Sequence, residues 1–239
     1  MKQVWIYIKV LLLLLFVGFL YGFAQLRSSA NKISEVVIIF KESQPKFISK
    51  NIVKDVLLTQ EPDLLKKQII DLDVSGLENI LQKHQMLESA EVFITPKNVL
   101  TVELVQRVPI ARLTHGNKTY YLDRLGLEMP LSPNYSARVP VVTGVSGAKQ
   151  EKELFGFLNR INKIDLFRKQ IIGIHRKVNG DYLLSTRIGR HKVLLGKMVN
   201  VEDKLKRLQV FYKKEWNTEN LKQYKLINLK YNHQVVCSK

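Results

Sequence analysis

The feature that most constrains this chain is an apolar run at residues 10–20, which no later part of the sequence repeats. Extended on both sides, residues 4–26 contain one charged side chain, Lys9. A helix of this length rises roughly 35 Å, more than the roughly 30 Å of a bilayer's hydrocarbon core. Lys9 lies near one end, where its stem can carry the ammonium group to the lipid headgroups. The sequence therefore predicts a transmembrane helix over residues 4–26.

A cleaved signal peptide is the alternative interpretation of the same segment. Lys2 and Lys9 form a positively charged start, and the Gly-Phe-Ala at residues 22–24 resembles a small-x-small cleavage site. The apolar span exceeds the usual h-region of roughly 7–15 residues, which favours the uncleaved anchor. The early lysines place residues 1–3 inside as a cytoplasmic stub, although Arg27 and Lys32 reduce the charge difference. We therefore expect the large body to be exported.

Composition restricts the function classes of this body. The chain has a net charge of +17 and a single cysteine, Cys237, which excludes an internal disulfide framework and any multi-cysteine metal site. From residue 146 onward, 21 Lys and Arg stand against 8 Asp and Glu. This balance is compatible with nucleic acid, anionic lipid or an acidic partner. Export of the body argues against nucleic acid, so we expect none.

The first part of the body has the pattern of a small α/β module. Residues 34–40 are rich in β-branched side chains and predict a strand. A first helix is indicated by Ile52, Val53, Val56 and Leu57, with Ser49 as N-cap. A second is indicated by Leu77, Ile80, Leu81 and His84, with Ser75 as N-cap and Glu78 completing a capping box. Residues 90–95 and 100–105 then alternate around Pro96-Lys97-Asn98, which predicts a hairpin.

This β-α-α-β-β order resembles the POTRA (polypeptide-transport-associated) module, a docking domain found just outside bacterial membranes. Residues 91–112, which read EVFITPKNVLTVELVQRVPIAR, are similar to the "A-x-V…L-x-I-x-V-x-E-R-x-P-x-A" stretch of the FtsQ/DivIB cell-division family, with Gln106 at the acidic position. Residues 121–131, YLDRLGLEMPL, resemble its "Y-L-D-x-x-G-x-x-x-P-L" segment, and residues 139–144, VPVVTG, resemble its "(L/V)-P-x-(I/V)-x-G". The resemblance runs from the anchor to the C-terminus in the family's order.

The remainder of the chain predicts a mostly β second domain with two helices. Strands are expected at residues 119–122, 171–176, 182–186 and 192–195, with turns at Asn179-Gly180 and Gly189-Arg190. One helix presents Leu154, Phe155, Leu158, Ile161 and Asn162, and the other covers residues 201–212. Residues 226–231 resemble the family's closing strand "(I/V)-(D/N)-L-(R/K)-Y". The predicted fold class is α+β, with a transmembrane helix at 4–26, a POTRA-like domain at 33–107 and a β-domain at 108–239.

No pattern in the sequence predicts catalysis. Ser29 and Ser146 each begin a Ser-x-x-Lys match, but the partner motifs of a penicillin-binding fold are absent from the sequence. The five histidines are scattered, and no metal-ligand spacing or phosphate-binding glycine loop occurs. We therefore expect a protein that is not an enzyme and has no cofactor and no metal.

The family resemblance implies a divisome scaffold in the bacterial cytoplasmic (inner) membrane, with its N-terminus inside and its body in the periplasm. It implies recruitment of FtsB/FtsL-like single-span division proteins by β-strand addition, and of other divisome proteins through the POTRA-like domain. In the family the recruiting edge is the last strand of the β-domain. The matching residues of this chain, and so the expected partner-binding residues, are Asn228, Leu229, Lys230, Tyr231, Asn232, His233, Gln234 and Val235. The alternatives are a POTRA-type translocation or outer-membrane assembly factor and a membrane-tethered nucleic-acid binder. The first needs repeated POTRA modules or a barrel, and the second needs a reading helix or an aromatic platform.

Overall fold

The computed structural model describes residues 2–29, 32–41, 47–189, 191–215 and 220–239. The chain divides into two compact units, Met1–Gln106 and Arg107–Lys239. Both combine helices with a β-sheet, which confirms the predicted α+β class. Arg190, placed in a turn by the sequence, lies outside the described residues.

The first helix, α1 (Lys2–Ser29), contains the apolar run. Its described side chains are those of Trp5 and residues 9–22, and every large apolar side chain among them is exposed. Among the described residues, no helix is long and apolar enough to cross a membrane. The membrane span predicted for residues 4–26 is therefore not confirmed, and it stays a prediction.

The rest of the first unit contains a three-stranded sheet and two α-helices. Its elements are β1 (Glu35–Phe40), α2 (Lys50–Gln60), a 3-10 helix (Ile69–Asp71), α3 (Val74–Gln82), β2 (Leu87–Ile94) and β3 (Val99–Gln106). The strand order is β1-β3-β2. β1 runs parallel to β3, and β2 runs antiparallel to it, with Asn98 taking a left-handed conformation (φ 61°) in the connecting turn. The two outer strands of this sheet are therefore β1 and β2.

The two helices of this unit begin with different kinds of cap. Ser49 caps α2 as predicted, because its side chain accepts a hydrogen bond from Ile52 N (3.3 Å). Ser75 was the predicted cap of α3, and this is wrong. Asp73 caps the helix, since its Oδ1 accepts from Gly76 N (2.8 Å) and places a carboxylate at the positive end of the helix dipole.

The second unit contains a nine-stranded sheet with four described helices. Its strands are β4 (Pro109–His115), β5 (Lys118–Asp123), β6 (Glu128–Met129), β7 (Val141–Thr143), β8 (Ile171–Arg176), β9 (Tyr182–Thr186), β10 (Lys192–Gly196), β11 (Leu226–Asn228) and β12 (Val236–Ser238). Its helices are α4 (Ala148–Asn162), α5 (Asp165–Gln170), α6 (Val201–Glu215) and α7 (Asn220–Gln223). The sheet order is β12-β11-β10-β9-β8-β7-β4-β5-β6. The sequence predicted two helices, because α5 and α7 are too short to show a helical period.

One hydrophobic cluster forms the core of this second unit. The helix α4 contributes Leu154, Phe157, Leu158 and Ile161, and α6 contributes Leu205, Leu208 and Tyr212. The sequence assigned Phe155 to the buried face. The structure buries Phe157 instead and leaves Phe155 partly buried at the edge of the cluster.

A buried ion pair explains the Y-L-D-x-x-G segment at the start of this unit. The carboxylate of Asp123 is fully buried and lies 2.6 Å from Arg107 Nη1. Its second oxygen accepts hydrogen bonds from Leu125 N (2.9 Å) and Leu127 N (2.8 Å), which closes the turn after β5. Gly126 occupies the left-handed position of that turn (φ 81°), where a side chain is rarely tolerated.

Candidate partner-binding edge

The nine-stranded sheet ends in two short strands, β11 and β12. The strand β11 pairs parallel with β10 on one side and antiparallel with β12 on the other. The strand β12 is last in the sheet order, so one side of it has no neighbouring strand among the described residues. An outer strand of this kind presents unpaired main-chain donors and acceptors.

The main-chain hydrogen bonds between β10 and β11 show which way each residue of β11 faces. Lys192 N donates to Lys225 O (2.9 Å). Leu229 N donates to Leu194 O (2.9 Å). Because main-chain direction alternates along a strand, Ile227 of β11 faces β10, whereas Leu226 and Asn228 face β12. Lys225, just before the strand, contacts both neighbours, because its N–H donates to Ser238 O (2.8 Å).

This alternation identifies the residue of β12 that faces outward. Leu226 is in register with Ser238, and Asn228 is in register with Val236. Ser238 and Val236 therefore direct their main-chain groups to β11. The N–H and C=O of Cys237 are left on the open side of the sheet.

The side chain of Cys237 has a separate, structural position. It is partly buried against the core cluster. Burial raises the pKa of the Cys237 thiol, which favours the protonated form over the reactive thiolate. The outward-facing part of this residue is therefore its main chain.

The predicted closing strand at residues 226–231 is shorter in the structure, because β11 ends at Asn228. The Asn228 side chain accepts a hydrogen bond from Lys230 N (3.0 Å), which turns the chain out of the strand. His233 takes a left-handed conformation (φ 63°), and the chain then returns as β12. Residues 226–228 are thus covered on both sides by neighbouring strands.

The eight predicted partner-binding residues fall into distinct environments. Leu229 is fully buried and Val235 is partly buried, both packing with the core cluster. Tyr231 is 52% exposed, which makes it the largest apolar surface of this segment. The remaining exposed residues of the connecting loop are Lys230, Asn232, His233 and Gln234.

A single arginine on α6 holds this loop. Arg207 Nη1 donates to Tyr231 O (2.8 Å) and to Gln234 O (2.6 Å). Its Nη2 also approaches Leu229 O (3.5 Å), while Nε donates to Asp203 Oδ2 (2.9 Å). One guanidinium therefore joins three carbonyls of residues 229–234 to α6 and fixes where β12 begins.

An ion pair of Lys230 also fixes the start of this loop. Lys230 Nζ lies 3.0 Å from the buried carboxylate of Asp181, and this hydrogen bond lowers the pKa of Asp181. The neighbouring Lys204 is buried, and its Nζ donates to Lys197 O (2.8 Å). Burial, and secondarily the Arg207 charge, lower the pKa of Lys204.

The sequence model of the family described as FtsQ/DivIB, C-terminal related, matches residues 108–238, which is more than half of the chain. The chain belongs to the FtsQ/DivIB family. A second model, for the POTRA-like domain, matches residues 32–105.

Two FtsQ/DivIB proteins are similar to this chain. The cell division protein FtsQ of Rhodothermus marinus is 26% identical over 181 residues, which cover 70% of this chain and 66% of the relative. The match thus spans just under two thirds of the relative's length. A solved structure of the major extracytoplasmic domain of the cell division protein DivIB from Geobacillus stearothermophilus (trans isomer) has 16% identity and a TM-score of 0.35. It covers 48% of this chain, and this chain covers 98% of it.

Two elements of this FtsQ/DivIB edge were missed by sequence reasoning. The strand β12 is only three residues long, and the signal for it was the apolar pair Val235-Val236 after the polar turn at Asn232-His233. Arg207 carries no local signal, since it is one of many basic residues on a helix. Within the described residues, no group of three His, Cys, Asp or Glu could hold a metal ion.

Proposed function

We propose that this chain is a non-enzymatic cell-division scaffold that recruits other single-span division proteins and links them to septal cell-wall synthesis. The observation that carries the proposal is the FtsQ/DivIB match over residues 108–238, which extends to the outermost strand of the nine-stranded sheet. A scaffold acts by binding, and an open sheet edge is a surface at which another chain binds through its main chain.

In this proposal α1 anchors the protein in the bacterial cytoplasmic membrane. Support comes from its described side chains, since Val10, Leu15 and Phe19 are 50%, 63% and 69% exposed, as a helix surrounded by lipid requires. The lysines that precede the apolar run favour an N-terminus inside the cell. The two folded units then lie in the periplasm.

Recruitment in this proposal occurs by strand addition to β12. The N–H and C=O of Cys237 supply the hydrogen bonds that an added strand of an FtsB-like or FtsL-like protein needs. The loop 229–235 forms the rim of that interface, with Tyr231 as the exposed aromatic contact. The role predicted for Asn228 is thereby revised, because β12 already covers its main chain.

The POTRA-like domain at residues 32–105 provides a second surface for other divisome proteins. The alternative function, a POTRA-type translocation or outer-membrane assembly factor, is not favoured. Its characteristic features are repeated POTRA modules or a barrel, whereas the larger unit of this chain matches the FtsQ/DivIB model.

Binding of the full chain, held in nanodiscs, to the FtsB-like protein of the same organism tests the proposal. Cys237→Pro removes the outward N–H, and Cys237→Ala is the matched control that removes the thiol and keeps the N–H. We expect the alanine variant to bind as the wild type does, and the proline variant to bind roughly tenfold more weakly or worse. Equal binding by the two variants places recruitment elsewhere.

A second proline separates binding from folding. Val236→Pro removes a donor that faces β11, so we expect it to lower the melting temperature of the second unit, whereas Cys237→Pro and Cys237→Ala melt alike. In cells depleted of this protein, we expect filaments, rescued by Cys237→Ala and not by Cys237→Pro. Normal division after depletion contradicts the proposed function itself.

A further inference from the structure

The two ends of the nine-stranded sheet differ in charge. The strands β8, β10 and β11 begin at one end, where β9 ends. Ten Lys and Arg stand against three Asp and Glu in the segments at that end, residues 163–169, 187–192 and 213–225. At the other end the balance is six against five, counted over residues 115–118, 144–153, 177–181, 197–203 and 229–235. We call the first of these two ends the basic end.

Main-chain hydrogen bonds join the segments of the basic end into one surface. Arg187 N donates to Gln170 O (2.8 Å), which places the turn between β9 and β10 against the end of α5. Lys192 N donates to Lys225 O (2.9 Å), which joins the start of β10 to the residue before β11. Basic residues that are distant in the sequence are therefore neighbours on this surface.

The turn between β9 and β10 presents an aliphatic side chain on this surface. The buried Gln170 accepts a hydrogen bond from Ile188 N (3.2 Å) at Oε1 and donates to Ile188 O (2.8 Å) from Nε2. On the α7 side, Leu221 O lies 3.3 Å from the position of a Cβ built on Gly189. The turn is thus fixed between α5 and α7, yet the side chain of Ile188 is 48% exposed.

Four cations around this turn have no carboxylate partner within the described part of the chain. They are Arg187, Lys192, Lys222 and Lys225, which are exposed and form no ion pair with another described residue. The ammonium group of Lys192 donates instead to the Ser185 hydroxyl (2.7 Å). Their charges are therefore available to an anionic ligand.

The carboxylates at the basic end leave this excess in place. Asp165 forms its ion pairs within α5. Glu215 follows two lysines at the end of α6. Glu219 and Arg190 lie outside the described residues and carry opposite charges.

We propose that the basic end binds the surface of an anionic membrane, with Ile188 entering between the lipid headgroups and the four cations binding lipid phosphates. An exposed aliphatic side chain among basic residues is typical of such surfaces. Lipid is favoured over an acidic protein segment because seven of the ten basic residues are lysines, whose hydrated point charges suit a fluid layer of phosphates. Recognition of fixed carboxylates favours the planar fork of arginine. The inference goes beyond the proposed recruitment and does not depend on β12.

Flotation of the full chain with lipid vesicles tests this proposal. The chain is held in nanodiscs of phosphatidylcholine and mixed with vesicles of phosphatidylcholine, either pure or rich in phosphatidylglycerol. We expect at least roughly tenfold tighter binding to the anionic vesicles, and loss of most of this preference at about 1 M salt, where the Debye length is about 3 Å. Equal binding to both kinds of vesicle overturns the proposal.

Two variants with the same change in net charge locate the binding surface. The first combines Arg187→Gln, Lys192→Gln, Lys222→Gln and Lys225→Gln. The second, at the other end of the sheet, combines the exposed-site substitutions Lys149→Gln, Lys152→Gln, Lys177→Gln and Lys197→Gln. We expect the first to weaken binding to anionic vesicles at least roughly a hundredfold and the second less than tenfold. Equal weakening shows that net charge alone attracts the chain, and this outcome also overturns the proposal.

A single substitution tests the aliphatic tip. We expect Ile188→Ser to weaken binding to anionic vesicles roughly tenfold, because apolar area is no longer removed from water. Val178→Ser is the matched control, since Val178 is fully exposed on the turn between β8 and β9 at the other end of the sheet. Equal effects of the two substitutions contradict the role of Ile188.

A glutamate polymer distinguishes lipid from an acidic protein. If the full chain binds the polymer through the four cations and does not float with anionic vesicles, the surface receives an acidic protein segment and the proposal is wrong. We expect the reverse order of affinity.

Discussion

Arg207 shows at the scale of one residue how a side chain fixes a distant segment. Its side chain is 15% exposed and donates hydrogen bonds to three carbonyl oxygens of the loop that joins β11 and β12. A lysine at this position supplies one point charge and cannot reproduce the planar fork of the guanidinium. The placement of β12 therefore depends on an arginine and not merely on a positive charge.

We expect Arg207→Ala to lower the free energy of unfolding of the second unit by about 2 kcal/mol, because hydrogen bonds to a charged group are lost and the carbonyls are left without it. Amides of β12 should exchange faster in this variant. Lys206→Ala, an exposed neighbour on the same helix, is the control and should change stability by about 0.5 kcal/mol or less. Urea unfolding and amide exchange measure both. Equal effects of the two substitutions contradict this role of Arg207.

His191 gives a prediction about pH. It is 1% exposed, and its Nε2 lies 2.7 Å from the Tyr212 hydroxyl oxygen. Burial lowers the pKa of His191 below its usual value of 6.5, so the folded state resists protonation. Well above pH 6.5 the ring is neutral in both states and adds no pH dependence. Below that pH the unfolded chain takes up the proton first, and stability falls as the pH is lowered.

Thermal melting of the wild-type chain and of His191→Gln across pH 5–7 measures this effect. We expect the wild type to lose stability more steeply than the variant as the pH falls below 6.5. His84, whose pKa is also lowered by burial, contributes a dependence of the same sign in both proteins. Parallel curves for the two proteins show that His191 is protonated as easily in the folded state as in the unfolded chain.

At the scale of elements, α3 has two roles in the first unit. Its Leu77 and Leu81 are each 1% exposed and pack in the core, whereas Glu78 and Gln82 bond to the outer edge of β2. The period of the helix separates these roles, because residues one apart lie on different faces. One short helix therefore both fills the core and closes a sheet edge.

Leu81→Asp places a carboxylate without a partner in this core, and we expect it to destabilise the first unit by several kcal/mol, on the order of 3 or more. Lys83→Asp, on an exposed residue at the end of the same helix, is the control. Differential scanning calorimetry of the full chain should show an early transition in Leu81→Asp while the transition of the second unit is unchanged. A single unshifted transition shows that α3 does not stabilise the unit as described.

At the scale of the whole molecule, the proposed function makes the apolar segment set the location of the two folded units. Two outcomes were left open by the sequence, an uncleaved anchor and a cleaved signal peptide. Both export the body, and they differ in whether α1 remains attached to it.

We expect a reporter that is active only outside the cytoplasm to work when fused after Lys239, because the lysines before the apolar run keep the N-terminus inside. We also expect the mature protein to sediment with membranes and to resist extraction by carbonate. N-terminal sequencing that begins at Gln25 shows cleavage and contradicts the anchor, and an inactive reporter contradicts the topology.

Sequence reasoning succeeded where a pattern is local. The spacing of Val53 and Leu57 placed α2, and Ser49 was identified as its cap from its position before that pattern. The alternation around Asn98 placed the hairpin of β2 and β3. The sequence did not predict the cap of α3 correctly, because several residue types near a helix start can act as a cap. It did not predict the helices α5 and α7 at all, because one or two turns show no helical period. The α+β class followed from the periods alone.

The sequence by itself determined the longer helices and most of the longer strands and, through its motifs, the family to which the chain belongs. Only the tertiary structure decided which sheet edges are open. The family motif predicted β11 as the edge strand, but β12 pairs with it and covers it. In the first unit, side chains of α3 hydrogen-bond to the outer side of β2, whereas β1 has no neighbouring strand on its outer side among the described residues. The physical reason is that a strand is an open edge only if no other strand or side chain hydrogen-bonds to its outer main chain. The bonds that close it join residues such as Arg207 and Tyr231, or Glu78 and Val92, which no local period connects.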